Sequence, residues 1–599
     1  MKRAKKERKL RYETKWNFKL LYPFSKDKRI EEDTLAIEQA YIEFAKKYSG
    51  ESEYLAEPKA LLTALSDWEK LVENTSVWKP VLYFSYISSL DSANEEAVAK
   101  TSLLTSRFLK SANMILFFPI ALGKIANDLQ HKFLNDKTLS HHHYFLKRIF
   151  EQGKYNLTEA EEKIVNLKSQ PAYSMWVDGQ EKLLTSQQVT FKGKVFPITE
   201  ALQMISQLPT KDRRELSNTI NKKLKEISHF AESEINAIYT NKKIEDELRG
   251  FRTPYSSTVL QYENDPATVE NLTSLVTKNF KIAHSFYQLK AKLMGVKKLQ
   301  YADRGADIGK NRLAIPFVEG VEILKRAFAK AGSRYVGIFS SYLENGQIDV
   351  YSKKGKSGGA FCSSSINNPT FVLLNYTESM DSVMTLGHEM GHAFHSELST
   401  TQTPLYRSYS YSVAEVASTL FENFVFEEIF ETLSDREKII ALHDRLNDDI
   451  STIFRQVACF NFELELHNKI RSAGAISKED IAQMLNRHMK NYLGSKVELQ
   501  ENDGYFFVSW SHIRRFFYVY SYAFGQLISR ALYVNYKKDS SYIYKIESFL
   551  SAGGSKSPEE IFKDIGIDVT SPEFFESGLK SIDESLHGLE KLAKSAKLL

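Results

Sequence analysis

The chain has 599 residues, more than one small core can organise, so two or more lobes are expected. Hydrophobic residues at 42% and charged residues at 26% are ordinary for a globular protein, and 80 basic against 75 acidic residues leave a net charge of only +5, which argues against nucleic-acid binding. Only Cys362 and Cys459 occur, which excludes a disulfide framework and a thiolate metal site and suits a reducing compartment.

The start of the chain, MKRAKKERKLRYETK, is strongly basic but lacks the apolar core of a secretory signal, and it reads as a solvated tail. The most apolar run, Met114 to Leu122, falls far short of the ~20 residues that cross a bilayer and contains Pro119. No membrane insertion and a cytoplasmic location are therefore expected. Glycine and proline are sparse, and segments such as Ile30–Tyr48, Asp212–Thr240 and Pro266–Leu293 place apolar residues at three- and four-residue intervals, the pattern of amphipathic helices. A mainly α fold follows. Within it, His141-His142-His143 looks like a metal site but is expected to be a solvated helix start, because adjacent residues on a helix point in different directions.

Strand signals are few. Gln188–Ile198 alternates around Gly193 and predicts a hairpin. Gln347–Tyr351 and Thr370–Asn375 flank the Gly- and Ser-rich stretch Lys353–Ser365, which predicts a small sheet just ahead of the next motif. The expected divisions are an N-terminal helical region (1–110), a helical and hairpin subdomain of the same lobe (111–200) and a catalytic region (201–599).

The motif is His388-Glu389-Met390-Gly391-His392, an HExxH sequence in an apolar helical segment that Thr377 or Ser379 can cap. Two imidazoles four residues apart share one helix face and can hold one metal ion, with Glu389 beside any water on that ion. Val383, Met384, Leu386 and Phe394 supply apolar contacts. Zinc needs a third protein ligand and an open position. A metzincin would carry a third histidine where this chain has Leu398. His395 sits two turns from His388, about 10 Å along the axis, and suits a supporting role.

Further on, Glu415 and Glu422 are seven residues apart on one face of a helix that also carries Val413, Val416, Leu420, Phe421 and Phe424. Buried carboxylates there need partners. Spacing leaves Glu415 open between metal ligation and a capping box with Ser412. It leaves Glu422 open between orienting a ligating imidazole and pairing with a surface lysine. The segment Tyr505 to Phe524 gathers His512, Tyr518, Tyr520 and Tyr522. A tyrosine hydroxyl there can stabilise an oxyanion, although Phe516, Phe517 and Phe524 read as core. Ser557-Pro558-Glu559-Glu560 and Ser571-Pro572-Glu573 are helix starts.

Five segments together resemble the thimet oligopeptidase and oligoendopeptidase F family of zinc metallopeptidases, most closely its bacterial oligoendopeptidase F branch. They are HEMGHAFH (388–395), AEVASTLFEN (414–423), FYVYSYAFG (517–525), KKGKSGGAFC (353–362) and FLSAGGSKSP (549–558). Weaker similarity runs from about Trp16 through the N-terminal half. The resemblance implies a zincin-type catalytic region in a two-lobed helical fold around a deep substrate channel. It implies one Zn²⁺ per chain, held by His388, His392 and Glu415. It aligns Tyr522 with an oxyanion-stabilising tyrosine and His512 with a substrate-contacting histidine. It places Tyr518, Tyr520 and an edge strand at Gly359, Ala360 and Phe361 beside a short peptide substrate. The interval from His512 to Tyr522 is shorter than in the thimet branch.

The expected chemistry is zinc-assisted hydrolysis of internal peptide bonds, with Glu389 as general base. An exopeptidase would need a basic residue for the substrate carboxylate, for which Arg514 or Arg515 qualifies. A non-catalytic zinc-containing peptide-binding protein would have no use for Glu389.

Overall fold

Apolar side chains at helical spacing do form helices through most of the chain. The structure, a computed structural model, describes residues 12–75, 78–309 and 313–599. The basic run up to residue 11 lies outside the described residues. From Tyr12 onward the expectation of a solvated tail is corrected: Glu13 N–H donates to Leu343 O, Val350 N–H to Thr14 O and Trp16 Nε1 to Val372 O at 2.8 Å, so the segment is docked along later elements. No single helix among the described residues is long and apolar enough to cross a membrane.

The helix Arg29–Tyr48 buries Ile30, Ile37, Tyr41, Phe44 and Tyr48 on one stripe. The segment expected from Asp212 extends over Thr210–Arg249, since nothing interrupts it before Gly250, whose left-handed φ of 77° ends it. Pro266–Leu293 forms two helices instead of one, Pro266–Lys278 and Lys281–Leu293. Asn279 makes the break by donating its side-chain amide and its backbone N–H to Leu275 O. The hairpin pairs Gln188–Phe191 with Lys194–Pro197 through Lys192 and Gly193, both at positive φ as a tight two-residue turn requires.

The sheet ahead of the HExxH segment has three strands. Asn368–Tyr376 is central, parallel to Ile348–Tyr351 on one side and antiparallel to Phe361–Ser365 on the other. Phe361–Ser365 is therefore an edge strand. Buried side chains fall into two cores. One runs from Trp16 to Phe150 and adds Phe371 and Leu373; the other holds most of the rest. The central strand serves both: Phe371 and Leu373 face the first core, Val372 and Leu374 the second, because successive side chains leave opposite faces of a strand.

Candidate active site

The central strand leads directly into the motif helix, Met380–Ser399. Ser379 caps it by accepting from Ser382 N–H, and Thr377 joins the same hydroxyl cluster. Val383, Leu386 and Phe394 anchor the helix in the second core. The facing glutamate helix, Tyr411–Phe430, crosses it at a point where only glycine fits. A Cβ on Gly391 would stand 2.6 Å from Ser418 Cα and 2.8 Å from Ala417 O. A third helix, Tyr520–Lys538, comes equally close through Gly525, whose added Cβ would stand 2.9 Å from Glu415 Cβ.

This packing brings Glu415 onto the imidazoles. Its Oε2 lies 3.4 Å from His388 Nε2 and 3.8 Å from His392 Nε2. The capping-box alternative does not hold, because the glutamate helix starts two residues earlier than it requires: Ser410 is the cap and accepts from Ser412 N–H. Glu422 bonds His388 Nδ1, which turns Nε2 toward Glu415. Its partner is no surface lysine. Arg445, buried and absent from any sequence motif, donates to Glu422 Oε2 at 2.9 Å and to Asn423 Oδ1 at 2.6 Å. A buried carboxylate at position 422 demands a cation, but its place in the chain carries no local signal.

Burial pulls both imidazoles down. On His388 the hydrogen bond and charge of Glu422 outweigh it, whereas His392 stays below its ordinary range, neutral and with a lone pair to share. Two imidazole nitrogens and a carboxylate oxygen converging from two helices, one imidazole oriented from behind, make a donor set that fits a divalent metal ion. Burial pushes the Glu389 carboxyl up to about 7, with His388 opposing and the Glu415 and Glu422 charges and a Cys362 backbone hydrogen bond as smaller influences.

His388, Glu389 and Glu422 line a cavity of about 840 Å³ together with Gly359, Ala360 and Met384. Gly359 has φ 73°, and its carbonyl accepts from Asn375 Nδ2 at 2.8 Å. The edge strand lies along the motif helix, with Ser364 Oγ 2.7 Å from Ser396 Oγ. Beyond the glutamate helix, Tyr522 Oη stands 3.2 Å from His512 Nε2, and the Tyr518 ring lies parallel to the His512 ring. Burial above all, then Tyr518 and the Glu415 charge, raises the Tyr522 hydroxyl far beyond neutrality; burial and Arg515 lower His512.

Several expectations need correction. Tyr520 does not face substrate: it is fully buried and donates to Asn264 Oδ1, because it opens the helix on the side opposite Tyr522. The Phe361 ring packs in the first core near Trp16, leaving only its backbone for a ligand. Arg514 cannot receive a substrate carboxylate, since it is buried in a two-point ion pair with Glu234. His395 stacks on Tyr409 at 3.6 Å between centroids. The histidine triplet does start a helix, His143–Gly153, with His142 as its N-cap, but only His141 is exposed and His142 is buried. His141 and His142 end a 3-10 turn, Lys137–His142, with both rings over Glu69, while His143 turns away to Asp136 O.

The family described as Peptidase family M3 matches residues 204–581, and the one described as Oligopeptidase F matches 122–191. An oligoendopeptidase F homolog of Borreliella burgdorferi is 24% identical over 572 residues, covering 91% of this chain and 97% of its own. Oligopeptidase PepF of Bacillus subtilis is 29% identical over 335 residues, and this match spans 50% of that protein's length and 55% of this chain. The crystal structure of oligoendopeptidase-F from Enterococcus faecium shares the fold with a TM-score of 0.71 at 18% identity, over 96% of this chain and 100% of that one. The chain belongs to peptidase family M3, in its oligoendopeptidase F group, and is a peptidase.

Proposed function

We propose that this protein is a zinc metalloendopeptidase that hydrolyses internal bonds of short, unstructured peptides in the cytoplasm. One observation carries the reading: two imidazoles of one helix and a carboxylate of the next face a common point, with Glu389 buried beside them on a cavity wall. His388, His392 and Glu415 would hold the ion. When bound, zinc polarises the scissile carbonyl and acidifies an adjacent water. Glu389 accepts the proton of the attacking water and passes it to the departing amine, a task that a carboxyl poised near neutrality suits. Tyr522, kept protonated by burial, and His512 donate to the carbonyl oxygen as negative charge builds. The turn at Gly359 and Ala360 and the outer edge of Phe361–Ser365 offer backbone groups to an extended chain, a mode tolerant of sequence, and Tyr518, next to His512 and Tyr522, adds a ring for the substrate. A cavity of about 840 Å³ accepts a short extended segment and not a folded domain.

The exopeptidase alternative loses Arg514 to Glu234 and retains only Arg515, which is exposed and lies over the Tyr518 ring. The test is an internally quenched peptide blocked at both ends, incubated with wild type and with Glu389→Gln. Wild type is expected to cleave it until a chelator is added. The variant is expected to keep its zinc and lose at least about 100-fold in kcat. Near-normal cleavage by Glu389→Gln overturns the assignment of the base. Cleavage of free-ended peptides alone, with none of the blocked one, overturns endopeptidase action. Zinc retained by a wild type that cleaves neither peptide favours a non-catalytic peptide-binding protein.

A further inference from the structure

Among the described residues, two clusters place three metal-ligating atoms within 4.8 Å of one another. One is His388, His392 and Glu415. The other, Glu69, His141 and His142, lies in the N-terminal lobe and plays no part in the chemistry above. Glu69 comes from the helix Pro58–Thr75 and the histidines from the end of the 3-10 turn Lys137–His142. The tight turn brings two adjacent rings to 5.0 Å, nearly perpendicular, where an α-helix would splay them.

The rings straddle the carboxylate. His141 Nε2 is 3.9 Å from Glu69 Oε1, and His142 Nε2 is 3.9 Å from Glu69 Oε2. These separations are too long for hydrogen bonds, and both nitrogens of the buried His142 and the Oε1 of Glu69 have no hydrogen-bond partner. Such groups ordinarily find partners, since each one buried alone costs about 1–3 kcal/mol. Ligands held about 2.0–2.2 Å from a tetrahedral ion stand roughly 3.4 Å apart; here the three candidate atoms lie within 4.8 Å of one another, so an inward side-chain shift of about an ångström completes the arrangement. His141 is half exposed, which gives an ion a path from solvent.

We propose that Glu69, His141 and His142 form a second divalent-metal site, of the class that binds zinc, and that an ion there fastens the N-terminal lobe to the catalytic region. The fastening follows from what surrounds His141. Its Nε2, the atom offered to the ion, has Thr403 Oγ1 as a neighbour at 3.3 Å, and its backbone carbonyl, which an ion leaves free, accepts from the Tyr406 hydroxyl at 2.9 Å and carries the link. Thr403 and Tyr406 belong to the connector between the motif helix and the glutamate helix, the two elements that carry the catalytic ligands. An ion on Glu69 fixes the turn against its own lobe and, through His141, against that connector. Two imidazoles and one carboxylate suit zinc, cobalt or nickel rather than calcium or magnesium.

The test uses the full chain, stripped of metal and titrated with Zn²⁺. Wild type is expected to bind two equivalents, Glu69→Gln and Glu415→Gln one each, and the double variant none. In the Glu415→Gln background, where only the proposed site remains, Zn²⁺ is expected to raise Tm, and adding His141→Ala at its half-exposed position is expected to abolish that rise. A Glu415→Gln protein that takes up no zinc overturns the proposal. So does uptake or a Tm rise that survives both Glu69→Gln and His141→Ala, because the ion then sits elsewhere. Cobalt substitution separates the sites a second way, since the d–d absorption lost in Glu69→Gln is distinct from that lost in Glu415→Gln if both hold metal.

Discussion

A hydroxyl that donates to a growing negative charge has to remain protonated, and the surroundings of Tyr522 hold it so: burial raises it first, then Tyr518 and the Glu415 charge. Its place 3.2 Å from His512 Nε2 fixes its direction. Phenylalanine at this position keeps the packing and deletes the donor. Tyr522→Phe is therefore expected to lower kcat by about 10²–10³-fold with KM nearly unchanged, since the interaction is made chiefly in the transition state. Steady-state kinetics on one peptide checks this, and a loss confined to KM would make Tyr522 a substrate-binding residue instead. The four candidates from His512 to Tyr522 were legible as a group from composition, but their division was not. Phe516 and Phe517 both take positive φ, 34° and 60°, stabilised by Thr258 Oγ1 donating to Phe516 O and Phe517 N–H donating to Glu463. That bend sets His512 against Tyr518 and Tyr522. Neither residue is the glycine or asparagine that would mark a left-handed turn in the sequence, so Tyr520 could not be told from Tyr522 without the tertiary contacts.

Helices whose side chains share a metal need a fixed separation, and Gly391 sets it where the motif and glutamate helices cross. Gly391→Ala puts a Cβ against the Ser418 backbone, which cannot swing aside like a flexible side chain. The glutamate helix must retreat, and Glu415, one turn from Ser418, retreats with it. The expected result is a folded protein, destabilised by about 1–3 kcal/mol, whose zinc affinity falls by about 10-fold or more, in line with disturbed ligand support. Competition against a chelator of known affinity measures this. Wild-type affinity in Gly391→Ala would mean that the crossing does not set the ligand distance. Elements differ in how openly they show themselves. The HExxH helix and the small sheet were readable because spacing, apolar runs and the glycine-rich interval point the same way. Glu415 was ambiguous because Ser412-x-x-Glu415 also spells a capping box, and only the competing cap at Ser410 removes that option. The break at Asn279 escaped because asparagine interrupts a helix through its own hydrogen bonds and not through a forbidden backbone angle.

Over the whole molecule, the two cores share one structural member. Phe371 and Leu373 belong to the N-terminal core, Val372 and Leu374 to the catalytic one, and Trp16 donates to the carbonyl of Val372 between them. A strand packed on both faces transmits damage from either side, because it cannot move away from one core without leaving the other. It also runs straight into the motif helix through Thr377 and Ser379. Leu373→Ala empties part of the N-terminal core and removes no metal-binding side chain, although its strand partner is Phe361 of the edge strand, and is expected to cost about 2–5 kcal/mol. If the strand couples the cores, calorimetry of Leu373→Ala shows one endotherm at lower temperature, and peptidase activity disappears along the same curve as helical circular dichroism. If the cores are independent, the endotherm splits, with the earlier component leaving activity intact. The coupled outcome is the stronger expectation, because separating the cores would expose both faces of the central strand at once, removing apolar surface on either side from contact in a single step.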